Sequence, residues 1–144
     1  MKSDGSIHQI CVAAILRHTL KPINFLLTKL YDTDTKSLLQ IDIALTDGEL
    51  PISKTYIDSL TWTLITTRRI ISCNKGDVQE AFADRVNSWQ WGDTKRNAKG
   101  SYTLGEIKIE DNSILQIHIE CGKASMVTIY AIMTLARLRK RVHD

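Results

Sequence analysis

The residues of this 144-residue chain that could do chemistry fall into a few groups by type and spacing. His118 and Cys121 form an H-x-x-C pair, and His8 and Cys11 repeat that spacing near the amino terminus. Zinc wants four closed protein ligands, or three plus a water. Neither pair has a second pair at workable spacing. Cysteine–histidine catalysis needs both side chains within hydrogen-bond reach and a third group that orients the base. No residue marks that third group. The plainer expectation puts His118 on the solvent side of a strand and Cys121 in a small buried position. It puts His8 on a helix surface and Cys11 in the core. Asp32, Asp34, Asp42 and Asp47 lack the D-x-D-x-D-G loop with its glutamate at position twelve, so they read as turn formers. Gly76, Gly92, Gly100, Gly105 and Gly122 are isolated turn glycines, not a phosphate loop. No metal, no cofactor and no enzymatic activity are expected.

The most site-like stretch is Trp89 to Tyr102. Trp89 and Trp91 lie two apart, which places both rings on one face of a regular strand. Lys95, Arg96 and Lys99 follow, and Tyr102 closes the segment. Aromatics beside cations can dock an acidic protein, lie at a headgroup surface or stack on bases. The competing expectation is two core tryptophans and a solvated loop, because such rings bury large apolar areas. The candidate partner-binding residues are therefore Trp89, Trp91, Lys95, Arg96, Lys99 and Tyr102. Arg68 and Arg69 are adjacent on a strand and should face opposite ways, one to solvent and one snorkelling or pairing. The cations Arg137, Arg139, Lys140 and Arg141 suit the negative end of a helix dipole.

The elements that must position these groups follow from periodicity. Ile7, Ile10, Cys11, Ala14, Ile15 and His18 recur at helical spacing, so a helix is expected over residues 7–20, with Ser6 as its N-cap; a strand is the competing reading, since Ile10, Val12 and Ile15 are β-branched. Residues 1–6 should fray, and Pro22 should stop the helix. Residues 23–120 read mainly as strands. Leu39 to Leu45 alternates as a strand, and Pro51 discourages a central strand nearby. Leu60 to Ile65, Arg69 to Cys73 and Val86 to Trp91 are strand-like. Residues 78–83 read as strand by pattern and helix by composition. Asn74-Lys75-Gly76-Asp77 is a tight turn. Leu104 to Ile109 and Ile114 to Glu120 form a hairpin around residues 110–113. A carboxy-terminal helix follows over residues 123–141. The expected core includes Leu60, Trp62, Leu64, Ile70, Ile107, Leu115, Ile117, Ile119, Tyr130 and Met133.

That order predicts an α+β fold: a curved antiparallel sheet or partly open barrel, capped by the carboxy-terminal helix, with an additional amino-terminal helix. From Leu60 onward the chain resembles the bacterial PH-like and GRAM-like domains. The carrying residues are the run from Trp62 through Thr67, Arg68 and Arg69 to Ile71, and the run from Ile117 to Ala124. The first resembles a strand ending in a threonine–arginine step before a second apolar strand. The second resembles the final strand entering the capping helix. Membership implies a binding module, with phosphoinositides, proteins or peptides among the ligands of the superfamily. In a lipid binder of that type, basic residues near strand turns hold the phosphates, a role open here to Lys54, Arg68 and Lys75.

Composition bounds the rest. The length suits one domain over residues 1–144. Hydrophobic residues at 43% and charged residues at 24% are ordinary globular values. A net charge of +3 is too mild for a dedicated DNA-binding domain, and no specific nucleic acid is expected. Three cysteines without a short pairing argue for a reducing cytosol. Asp4, His8 and Gln9 interrupt any signal-peptide pattern. Ser125, Thr128, Thr134 and Arg137 interrupt the densest apolar run, so no membrane span is expected.

The functional expectation is a non-catalytic protein-binding domain. Its most concrete form is a bacterial immunity protein that binds and neutralises a cognate toxin in the cytoplasm. The alternative is a PH-like module that binds anionic lipid at a membrane surface through Lys75, Lys95, Arg96 and Lys99.

Overall fold

The computed structural model describes residues 2–19, 25–31, 43–95 and 100–140. The expected stop at Pro22, the turn at residues 32–35, most of the Leu39 to Leu45 strand, Arg96, Lys99 and Arg141 lie outside them. The architecture is α+β, as the periodicity predicts. Helix α1 (Asp4–Thr19) is followed by β1 (Thr28–Leu30), β2 (Pro51–Asp58), β3 (Thr61–Thr66), β4 (Arg69–Asn74) and β5 (Asp77–Phe82). A 3₁₀ turn at Ala83–Arg85 leads to β6 (Val86–Gln90), β7 (Tyr102–Ile109) and β8 (Ile114–Glu120). A second 3₁₀ turn at Gly122–Ala124 starts helix α2 (Ser125–Arg139). Strands β1 to β5 form one antiparallel meander and β6 to β8 another, and the two do not close into a barrel.

Helix α1 begins earlier than the expected Ser6 cap, so residues 4–6 are not frayed. Ser3 is the cap: its Oγ accepts the Ser6 amide at 3.2 Å, and its carbonyl accepts the Ile7 amide at 3.0 Å. A short hydroxyl side chain there satisfies donors that have no helical partner. Asp4 then stands in the first turn, where a carboxylate suits the positive helix end.

One core fills the space between the two sheets and the helices. It joins Ile7, Cys11 and Ile15 of α1 to Val127, Ala131, Ile132 and Leu135 of α2, with Ile65 and Ile70 from the large sheet and Ile107, Leu115, Ile117 and Ile119 from the small one. Full burial of each such aliphatic side chain stabilises by roughly 1.5–3 kcal/mol. A second cluster of Tyr31, Trp62, Leu64, Ile71 and Cys73 lies on the opposite face of the large sheet, with Ile43 and Leu45 packed against it. Strands β3 and β4 are thus buried on both faces, so Thr63, Thr66 and Ser72 are buried along with their apolar neighbours. Ile43 to Leu45 has no strand pairing and serves instead as cover for that second cluster.

Two expected core residues are elsewhere. Leu60 sits at the β2–β3 turn and is 57% exposed. Met133 is 36% exposed, because α2 turns Val127, Ala131, Ile132 and Leu135 inward and the Met126–Met133 line outward. Pro51 does begin an internal strand, but as its first residue and beside a register shift, where its missing N–H costs least. Residues 77–82 resolve as strand. Lys75 (φ 51°) and Gly76 (φ 88°) make the preceding two-residue turn, whose twist matches the strands it joins. Among the described residues no helix is long and apolar enough to cross a membrane.

Candidate docking site

The small sheet divides the Trp89–Tyr102 stretch between its two faces. Trp89 pairs with Ile107, and both face the core. Trp91 stacks on Trp89 with ring centroids 5.7 Å apart. The two rings do share a face, as their spacing predicts, and they are half-buried against the main core. Tyr102 is on the other face. Alternation along β7 puts Tyr102, Leu104, Glu106 and Lys108 outward and Gly105 and Ile107 inward. Gly105 lets the strands pack closely, since a Cβ there would lie 2.7 Å from Ile119 Cδ1 and 3.1 Å from the Gln90 carbonyl.

Tyr102 and Leu104 are exposed at the end of the sheet where β7 begins and β8 finishes. Leu26 joins them. Its amide and that of Leu27 donate to the Glu120 carboxylate at 3.2 and 3.0 Å, and Glu120 is the cross-strand partner of Tyr102. The loop before β7 is pinned to the same end. The Thr94 carbonyl accepts the Gly122 amide at 2.7 Å, and the Asp93 carbonyl accepts the Cys121 thiol at 3.4 Å. Lys95, the next residue, is exposed. The structure therefore gathers Leu26, Tyr102, Leu104 and Lys95 at one end, and leaves Trp89 and Trp91 farther along the sheet on its inner face, packed against the main core. Leu26 and Leu104 were missed in the sequence because a lone exposed leucine has no signature.

His118 stands beside Leu104 on the same face, yet it is not the solvent-side residue its alternation suggests. It is 1% exposed. Its amide donates to Thr63 Oγ1 at 2.9 Å, and its Nδ1 lies 2.8 Å from the same oxygen. Thr63 belongs to a row of polar side chains that crosses the whole large sheet in register: Thr28, Thr55, Thr63, Ser72 and Gln79. Thr28 and Thr55 hydroxyls are 3.2 Å apart, and those of Thr63 and Ser72 are 3.3 Å apart. The outer edge of β8 is seated on this row, where hydroxyls satisfy backbone groups that would otherwise be buried unpaired. The Tyr102 ring rests against the His118 ring at 6.1 Å and a 60° tilt. Burial holds the His118 pKa below the usual imidazole value, against partial opposition from the Trp62 backbone and the Asp58 charge.

The other histidine–cysteine pair is also structural. His8 is buried, with Nε2 2.7 Å from the Tyr31 carbonyl, contrary to its expected helix-surface place. Cys11 is in the core as expected, and burial pushes its thiol up to about 12. Cys121 is only half-buried. Among the described residues no group of three or more His, Cys, Asp or Glu side chains could hold a metal ion.

Both arginines of the threonine–arginine step pair with acids. Arg68 Nη2 is 2.7 Å from Asp4 Oδ2, and Arg69 Nε is 2.9 Å from Glu49 Oε2. Arg69 Nη1 also reaches Glu80 at 2.6 Å. These bonds tie the β3–β4 turn to α1 and to the segment before β2, so neither cation forms a free patch. Hydrogen bonding to Arg68 is the leading cause that lowers the Asp4 pKa. For Glu49, burial works upward, and the bonds from Arg69, Thr66 and Thr46 outweigh it to give a lowered value.

No protein-family model, no curated protein and no solved structure matches this chain.

Proposed function

We propose that this protein is a non-catalytic binding domain that docks another protein through the end of its small sheet, most concretely as a bacterial immunity protein that neutralises a cognate toxin. The observation that carries the reading is the exposed apolar group of Leu26, Tyr102 and Leu104 beside Lys95, on a sheet end held by Thr63 and Glu120. Aromatic and aliphatic anchors within a polar surround are what a protein interface uses. A rigid support lowers the ordering cost of binding. The resemblance of residues 62–71 and 117–124 to PH-like binding domains supports the same class. The three free thiols favour a reducing cytoplasm.

Co-expression with a toxin domain encoded next to the gene tests it. Leu104→Asp and Tyr102→Ala should each weaken a toxin complex about ten-fold or more and leave the melting temperature nearly unchanged. A complex indifferent to both substitutions removes this site. Failure to bind any adjacent toxin removes the immunity reading.

A second reading, an anionic membrane surface, draws on a different observation. Exposed Lys29 faces the buried Lys54 across β1 and β2, with Nζ 5.6 Å from the Tyr31 ring and 4.8 Å from the Tyr56 ring respectively. Like charges in register oppose each other, and an anionic headgroup would relieve that. Salt-sensitive sedimentation with phosphatidylserine vesicles, lost in Lys29→Glu, separates this reading from the first.

A further inference from the structure

The sheet edges are treated unequally. Strand β1 is three residues long. Strand β6 carries a register shift between Val86 and Ser88. The open side of β8 is capped: Thr63 takes the His118 amide, and the Gln116 carbonyl takes Asn74 Nδ2 at 3.3 Å. Among the described residues, strand β5 has none of these protections. It runs six residues in unbroken register with β4 and contains no lysine and no proline. Natural sheets normally blunt such an edge.

The backbone phase of β5 follows from its turn. A two-residue hairpin makes Asn74 and Asp77 a hydrogen-bonded pair, so Ser72–Gln79 and Ile70–Ala81 are the next bonded pairs. The Ala83 amide, which donates to the Arg68 carbonyl at 3.0 Å, continues that phase. Val78, Glu80 and Phe82 therefore turn their amides and carbonyls to the open edge. Their side chains share one face, and Val78 and Phe82 are 46% and 48% exposed. A cleft of about 560 Å³ lies at the Phe82 end of this edge, lined by Glu80, Phe82, Arg85, Glu110 and Asp111 among others.

Charge selects the occupant. Glu49 and Glu80 share Arg69, and Glu110 and Asp111 line the cleft with Arg85. Four carboxylates thus answer to two guanidinium groups, in a chain whose net charge is +3. A second copy of β5 set antiparallel with Val78 opposite Phe82 would place Glu80 directly against Glu80, a destabilising like-charge pair. We infer that β5 accepts an extended segment of a different protein as an added strand, with Lys or Arg opposite Glu80 and apolar residues two positions to either side, facing Val78 and Phe82. Main-chain bonds supply the affinity and the alternating side chains the selection. This surface is separate from the docking site on the small sheet.

Two synthetic peptides test the inference on the full chain by NMR: Thr-Val-Thr-Lys-Thr-Val-Thr and the same sequence with Glu at the centre. At millimolar concentration the lysine peptide should slow exchange of the Val78, Glu80 and Phe82 amides about ten-fold. The glutamate peptide should bind about ten-fold more weakly, and Glu80→Lys should reverse the preference. Val78→Pro removes one edge donor without touching the β4 ladder, so it should abolish binding at an unchanged melting temperature. Equal binding of both peptides, unchanged edge-amide exchange, or peptide binding that survives Val78→Pro would overturn the inference. So would a dimer of the free chain that Val78→Pro dissociates, because the occupant would then be a second copy. A toxin complex lost in Leu104→Asp together with equal binding of both peptides leaves the docking site standing and overturns only the β5 inference.

Discussion

Arg139 Nη2 lies 3.0 Å from Asp4 Oδ1, so the last turn of α2 is bonded to the first turn of α1 across nearly the whole chain. At the other end of the pair, His18 of α1 stacks on Tyr130 of α2 with centroids 3.5 Å apart. The helices therefore run antiparallel, with a cation at a negative helix end facing an anion at a positive one. Arg139 Nε also donates to the Thr67 carbonyl at 2.9 Å, and Thr67 Oγ1 donates to Asp4 at 2.6 Å. The basic tail of the sequence thus contributes a specific clasp that joins both helices to the β3–β4 turn.

This clasp and the Glu49–Arg69 pair should make stability sensitive to acid. The Asp4 and Glu49 pKa values are both lowered in the fold, so their contribution is complete above the ordinary values of 3.8 and 4.5. It is lost as pH falls through those values toward the folded ones, because the unfolded chain then binds more protons. Glu49→Ala should cost about 3–5 kcal/mol, the range for removing one partner of a buried ion pair. Asp4→Asn should cost less. Both should flatten the decline of the melting temperature between about pH 5 and pH 3; a decline as steep as that of the unaltered chain would show that acid acts elsewhere.

His118 sets a second pH window. Its folded pKa is lowered, so the neutral ring is the form the fold holds. Stability should be full above the ordinary value of 6.5 and fall as pH drops through it, when the unfolded chain takes up a proton first. His118→Gln should remove the step near pH 6.5 from a melting-temperature profile. Thr63→Val should cost roughly 1–3 kcal/mol, since it strands the buried His118 amide. An unaltered step in His118→Gln would assign it to another histidine.

Helix α2 offers a contrast within three residues. Leu135 is wholly buried, and Leu135→Ala should cost about 2–5 kcal/mol by chemical denaturation. Met133 faces solvent, so Met133→Glu should change stability by less than about 0.5 kcal/mol. Equal costs for the two would mean that the helix is rotated about its axis.

Local pattern was legible in the sequence. Strands β3, β4, β7 and β8 and both helices are written in periods of two and 3.6 residues, and Lys75-Gly76 declares its own turn. Those signals depend only on neighbours along the chain, so they survive without tertiary knowledge. The α+β class follows from their order. Alternation states which residues share a face, but not which face meets another element. His118 reads as outward because it alternates with Ile117 and Ile119, yet the large sheet covers that side too and turns it into a second interior. Leu60 continues the alternation of Trp62 and Leu64 but lies past the strand end. Met133 has a core residue's character on the wrong side of a helix. The proposed docking end and the proposed acceptor edge of β5 are further still from the sequence. Both depend on how two sheets meet, and backbone groups without a partner among the described residues have no signature in residue type. What the sequence determined was the set of elements; only packing decided which of their faces became interior, because burial depends on contacts between residues far apart in the chain.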